Sequence, residues 1–143
     1  MKYYITALFF FLSIGYVLAQ EFSLPGSYRL DFQKTVESMD RDARNRYDSL
    51  PSEVRSRAET SMDAREFVFH PDGQLKVSWR SSSRIVQANG TWGLHGGSEV
   101  KLVLDVSGDI KEYDVVERSG HHLLLTNRKG NGLFNYLYLT KID

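Results

Sequence analysis

From residue 66 onward, apolar and polar residues alternate with a period of two, broken at short intervals by turn-forming residues. In the stretch 74–80, Leu75, Val77 and Trp79 fall on one side and Lys76, Ser78 and Arg80 on the other, as in a strand with one buried face. It follows the short run 66–70 and Pro71-Asp72-Gly73, whose residue types favour a tight turn, so the two runs predict a hairpin. The same alternation predicts strands over 84–94, 99–105, 109–117, 121–127 and 133–140, joined by short Gly- and Ser-rich links. Links that short join antiparallel neighbours, because parallel strands need a crossover of about a dozen residues or more. Asn89-Gly90 is expected as a bulge inside one long strand, with a two-residue hairpin turn as the other option. Residues 27–32, with Tyr28, Leu30 and Phe32 on one side, add a strand near the start, for eight in all. Eight antiparallel strands suit a small closed barrel.

Between the first strand and the hairpins the period changes. Val36, Met39, Ala43, Tyr47 and Leu50 follow helical three-and-four spacing, and Val54, Ala58 and Met62 resume it. The spacing predicts a pair of helices of about 13 residues each, spanning about 34–65 and joined at Leu50-Pro51, with Pro51 at the first helical position and Glu53 in the first turn. This region is densely charged, from Lys34 to Arg65, with pairs such as Glu37 with Arg41 and Asp40 with Arg44. A solvated outer helix face is the expected reading of such a block.

The first nineteen residues differ from all of this. Lys2 precedes a largely apolar run from Ile5 to Leu18, and Val17-Leu18-Ala19 offers small or medium residues for signal cleavage. As a helix, about 14 residues span about 21 Å against an apolar bilayer core of about 30 Å. The expectation is a cleavable signal, residues 1–19, and one exported domain, 20–143, secreted or periplasmic, with no membrane span after cleavage. The chain has no Cys, which removes thiol catalysis, disulfides and Cys-based zinc sites. Eighteen Lys and Arg balance eighteen Asp and Glu, so the basic surplus of a nucleic-acid binder is missing.

Two local patterns carry a resemblance. One is Leu24-Pro25-Gly26-Ser27-Tyr28-Arg29-Leu30; the other is Phe67-Val68-Phe69-His70-Pro71-Asp72-Gly73 followed by Gly90-Thr91-Trp92-Gly93-Leu94. Together with the order strand, helix pair, hairpins, the chain resembles small exported bacterial lipocalin-like domains (calycin-type barrels), over nearly all of residues 24–140. It departs from them in carrying Tyr28 where an opening Trp would be expected. Fatty-acid-binding proteins place a helix pair at the same point of a related barrel, a likeness of topology only. The resemblance implies a mostly β, eight-stranded antiparallel up-and-down barrel with a helix pair between strands 1 and 2.

The residues offer little catalytic chemistry. His121 and His122 are adjacent on a strand and point to opposite faces, His70 and His95 lie in turns, and no HExxH-like spacing exists, so neither a metal nor a cofactor is expected. There is no Gly-x-Ser-x-Gly elbow. Glu112 and Asp114 share a strand face near a barrel opening, a pattern that exposed strands commonly show. Asn89-Gly90-Thr91 matches a glycosylation acceptor only formally.

Aromatic residues say more. Leu123, Leu124 and Leu125 are apolar on both strand faces, which calls for an outer cover, and the helix pair is suited to lie on the barrel wall or across its mouth. The expected activity is non-catalytic binding of a small apolar or amphipathic molecule by a monomer. Its expected contacts are Phe67, Phe69, Trp79, Tyr113, Tyr136 and Tyr138, with Asn135 supplying a hydrogen bond. A barrel filled by its own side chains would use the same residue types. In that case the domain would be an envelope protein-interaction module acting through its charged helices, or an inhibitor acting through loops 95–98 and 128–132.

Overall fold

The computed structural model describes residues 23–96, 100–127, 129 and 133–142. The expected signal, residues 1–19, lies outside these, as do parts of loops 95–98 and 128–132. Eight strands form: β1 (Gly26–Leu30), β2 (Glu66–Phe69), β3 (Gln74–Ser81), β4 (Arg84–His95), β5 (Lys101–Val106), β6 (Asp109–Arg118), β7 (His122–Thr126) and β8 (Tyr136–Lys141). Each pairs antiparallel with the next, and β8 returns to β1 through Leu30 opposite Leu139, closing an up-and-down barrel. Closure gives each strand a neighbour on both sides, which lowers the usual aggregation hazard of a sheet. The inward positions join into one buried cluster that includes Tyr28, Leu30, Phe67, Phe69, Leu75, Val77, Leu102, Leu104, Leu125, Leu137 and Leu139.

The two ends of the barrel differ. At the end carrying the β2–β3 hairpin, Phe69 meets Tyr28 edge-on at 5.6 Å and Trp92 edge-on at 5.9 Å. Trp92 also donates from its backbone N–H to Gly73 O and from Nε1 to His70 O, both at 2.9 Å, and so pins the turn across that end. Tyr28 thus occupies a buried floor position. The other end carries the helices and the β5–β6 turn, where Ser107 (φ 56°) and Gly108 (φ 81°) both take positive φ, as a two-residue turn matched to strand twist requires.

The predicted helix pair is three helices: α1 (Phe32–Glu37), α2 (Arg41–Asp48) and α3 (Ser52–Asp63). Apolar spacing runs on through Met39 and hides the break, which is made by capping. Asp31 Oδ1 accepts from Lys34 N at 2.9 Å and Asp40 Oδ1 accepts from Ala43 N at 2.8 Å, so each carboxylate satisfies an orphan N–H and starts a helix. The Ala43 N–H, with the Tyr136 hydroxyl, holds the Asp40 carboxyl below its ordinary range. Pro51 sits one position before the helix rather than inside it. Phe32, which sequence alternation had placed in β1, opens α1 and joins Tyr47 and Phe134 in an aromatic cluster with centroids 5.8–6.2 Å apart.

Asn89-Gly90 is not a bulge. β4 runs through it in register, with Asn89 opposite Lys76 and Gly90 opposite both Leu75 and Val106. Glycine is required there by a close approach of β5: a Cβ on Gly90 would lie 2.0 Å from the Asp105 carbonyl oxygen. The register shift falls instead between Val115 and Glu117 of β6, leaving Val116 exposed.

Where β1 ends, α1 continues the ladder. Asp31 N donates to Tyr138 O at 2.9 Å, and Tyr138 N donates to the fully buried Thr35 Oγ1 at 3.0 Å. Thr35→Val keeps the shape but strands the Tyr138 N–H. A loss of about 1–3 kcal/mol in urea-melt stability is expected, and an unchanged midpoint would show that the α1 contact carries no weight.

Candidate functional site

Under α3, the helical end of the barrel opens into a cavity of about 530 Å³. Its walls are inward side chains of the strands, among them Phe67, Val77, Trp79, Leu104, Tyr113 and Leu137, and its roof is the underside of α3 with Ala58, Ser61 and Met62. A larger hollow of about 730 Å³ lies between α3 and the outer faces of β1 and β3. It is a more open groove bordered by the exposed Arg29–Glu66 ion pair. The cavity is the better-built site, because interior side chains wall it and a helix roofs it.

Polar groups enter the cavity at its mouth. Arg65, in the link from α3 to β2, is held on both sides by its backbone: its N–H donates to Met62 O at 3.0 Å and its carbonyl accepts from Leu30 N at 2.9 Å. Its guanidinium lies over the Trp79 ring, 5.6 Å from the centroid. It donates one long hydrogen bond, Nη2 to Ser61 Oγ at 3.4 Å, while Nε is buried without a partner. Burial pulls the Arg65 pKa down, partly offset by the nearby Tyr113 phenol. Burial also pushes the Tyr113 phenol up to about 12 despite the nearby Arg65 charge, which keeps the hydroxyl protonated near neutral pH. At the rim, Lys111 Nζ pairs with Asp109 Oδ2 at 3.3 Å.

Of the seven expected contact residues, Phe67, Trp79 and Tyr113 line this cavity together. Phe69 is interior too, stacked on Phe67 at 6.2 Å, but lies deeper, in the floor. Tyr136 and Tyr138 face outward, since Leu137 and Leu139 take the inward positions of β8. Tyr136 Oη donates to Asp40 Oδ2 at 3.0 Å, and Tyr138 lies between the Lys34 ammonium at 4.9 Å and the His122 ring stacked at 5.1 Å. Both tyrosines therefore hold the helices on the wall. Asn135 precedes β8, its carbonyl accepting from Asn127 N at 2.7 Å, and does not line the cavity.

Arg65 was hidden by its neighbourhood. It closes a run of charges that fits a solvated helix face, yet it stands two residues before Phe67 and four before Phe69, in their inward phase. Lys111 and Asp109 share the inward phase of Tyr113 in the same way. Glu112 lies on the opposite face of β6, where Lys101 Nζ donates to it at 2.9 Å and holds its carboxyl below the usual range. His122 is taken up by the β6–β7 hairpin, with Nδ1 at 2.8 Å from Ser119 Oγ and Nε2 at 2.7 Å from Glu117 Oε1.

Comparison with protein-family models, curated proteins and solved structures finds no match. A functional reading rests on the barrel and its cavity.

Proposed function

We propose that this protein is an exported, monomeric, lipocalin-like barrel that binds a small apolar or amphipathic molecule in the cavity under α3 and does no chemistry on it. The observation that carries the reading is the cavity itself: about 530 Å³ inside the barrel mouth, walled by apolar side chains, with a few polar groups at one end. Small-molecule sites commonly have that volume and that mixture of lining. Phe69 and Trp92 pack edge-on at the opposite end of the barrel, and the cavity opens at the helical end, so a ligand enters and leaves past α3.

Native mass spectrometry of residues 20–143, purified without detergent from the compartment the protein occupies, tests the reading directly. A stoichiometric small molecule is the expected result. In parallel, the neutral dye Nile red should brighten on binding, and Ala58→Phe, which fills space beneath α3, should weaken that binding at least about tenfold with the thermal melt retained. A bare protein mass together with no dye response would overturn the proposal.

A further inference from the structure

β4 outruns the strand beside it. It pairs with β3 from Arg84 to Thr91, but β5 meets it only from Gly90 to His95, because β5 ends at Val106 and turns into β6. On that side residues 84–89, a length of about 20 Å, have no strand partner among the described residues. Arg84 faces Ser81 across a two-residue turn, and the pair flanking such a turn bonds to itself, so the even residues of β4 bond to β3 and the odd ones face away. The bond from Trp92 N to Gly73 O keeps the same phase. Thr91, Gly93 and His95 therefore bond to β5, while the N–H and C=O groups of Ile85, Gln87 and Asn89 lie on an open edge. Natural edges are guarded by charge, proline or a bulge. This one reads Ile-Val-Gln-Ala-Asn and runs in unbroken register with β3. Ile85 on it is 71% exposed, more than any other large hydrophobic residue described.

We propose that this edge captures the extended C-terminal tail of another protein by strand addition, the tail exchanging backbone hydrogen bonds with Ile85, Gln87 and Asn89. Space selects a tail. The β5–β6 turn, Ser107-Gly108, closes the lower end of the slot, and two β4 edges paired with each other would drive each hairpin tip against the other copy's turn. Charge selects the direction. At the upper end Arg80 and Arg84 are exposed and form no ion pair among the described residues, whereas Asp105 and Asp109 flank the turn at the lower end. A tail antiparallel to β4 brings its terminal carboxylate to the two arginines; the parallel direction would bring it to the two aspartates. The neutral stretch between calls for uncharged residues in the tail. The site lies outside the cavity, so the proposal goes beyond small-molecule binding and does not depend on it.

The probe is a labelled peptide of alternating threonine and valine, about six residues long to match the slot, with a free C-terminal carboxylate. Its binding to the purified protein is read by fluorescence anisotropy. N-methylating the peptide residues that face β4 should weaken binding at least about tenfold, and amidating the carboxylate about threefold. Hydrogen exchange followed by NMR reads the edge itself. In the free protein the Ile85, Gln87 and Asn89 amides should exchange fast and those of Val86 and Ala88 slowly, and bound peptide should slow the first three. Gln87→Pro removes the central edge donor without touching the β3 ladder, so it should abolish capture with the thermal melt retained. If that variant does not fold, Ile85→Glu, a charge at an exposed position, should weaken capture instead. Equal binding of the N-methylated peptide overturns strand addition, and equal binding of the amide overturns the carboxylate assignment. Slow exchange at the three edge amides in the free protein overturns the open edge, and a doubled mass in sedimentation would give it to a second copy. Fast exchange with no binding up to about 1 mM peptide overturns the capture.

Discussion

Phe69→Ala is expected to lower folding stability by about 3–5 kcal/mol, the cost of emptying a large buried aromatic site. Phe69 is 1% exposed and touches the Tyr28, Phe67 and Trp92 rings, so its removal opens a hole where these three rings of the barrel floor meet. The surrounding rings cannot collapse into that hole, because Trp92 is tied by two hydrogen bonds to the β2–β3 turn. A domain of this size has about 5–15 kcal/mol in hand, so the variant should be much closer to unfolding at room temperature. Urea titration followed by Trp fluorescence reads the change, and a loss below about 1 kcal/mol would mean that the floor is not packed around this ring.

Gly90→Ala comes next, with an expected loss of about 3 kcal/mol, at the upper end of ordinary overpacking. The new methyl would sit 2.0 Å from the Asp105 carbonyl oxygen, 2.9 Å from its carbon and 3.0 Å from Val106 Cα. All three are backbone atoms of β5, paired in register on both sides, so no side-chain rotation relieves the clash and the strands must part. Gly93→Ala is the control in the same strand, since its methyl would meet only the end of the His95 ring at 3.3 Å. That variant should melt within about 0.5 kcal/mol of the wild type. Equal destabilisation of the two would refute the close-approach explanation for Gly90.

Two features of the proposed binding site belong together physically. A packed floor and an emptier mouth arise because bulky inward residues, Phe69, Trp92 and Tyr28, crowd one end, while the other end relies on a helix to cover it. The roof helix α3 leans on the two helices before it, and the outward residues of β8 hold those two to the wall through Lys34 and Thr35 of α1 and Asp40 at the start of α2. Tyr47 adds a tie between α2 and α3 by donating to Glu59, and burial with that bond pushes its phenol up to about 12.

Strand alternation and turn chemistry were sufficient, in the sequence alone, for a mostly β chain with eight antiparallel strands and a helical insertion after the first. A period of two and a period near 3.6 are local properties, set by which side of the backbone each residue projects from. Phe67, Trp79 and Tyr113 were legible for the same reason. What the tertiary structure decided was which face of each strand turned inward. For β8 both faces are apolar or aromatic, so the alternation has two solutions, and helix docking assigned Leu137 and Leu139 to the interior and Tyr136 and Tyr138 to the wall. The break between α1 and α2 depended on the Asp40 cap, the need for glycine at position 90 on the approach of a strand from elsewhere in the chain, and the burial of Arg65 on a roof supplied by α3. Each is a long-range or orientation-dependent event, to which the local spacing of residue types is blind.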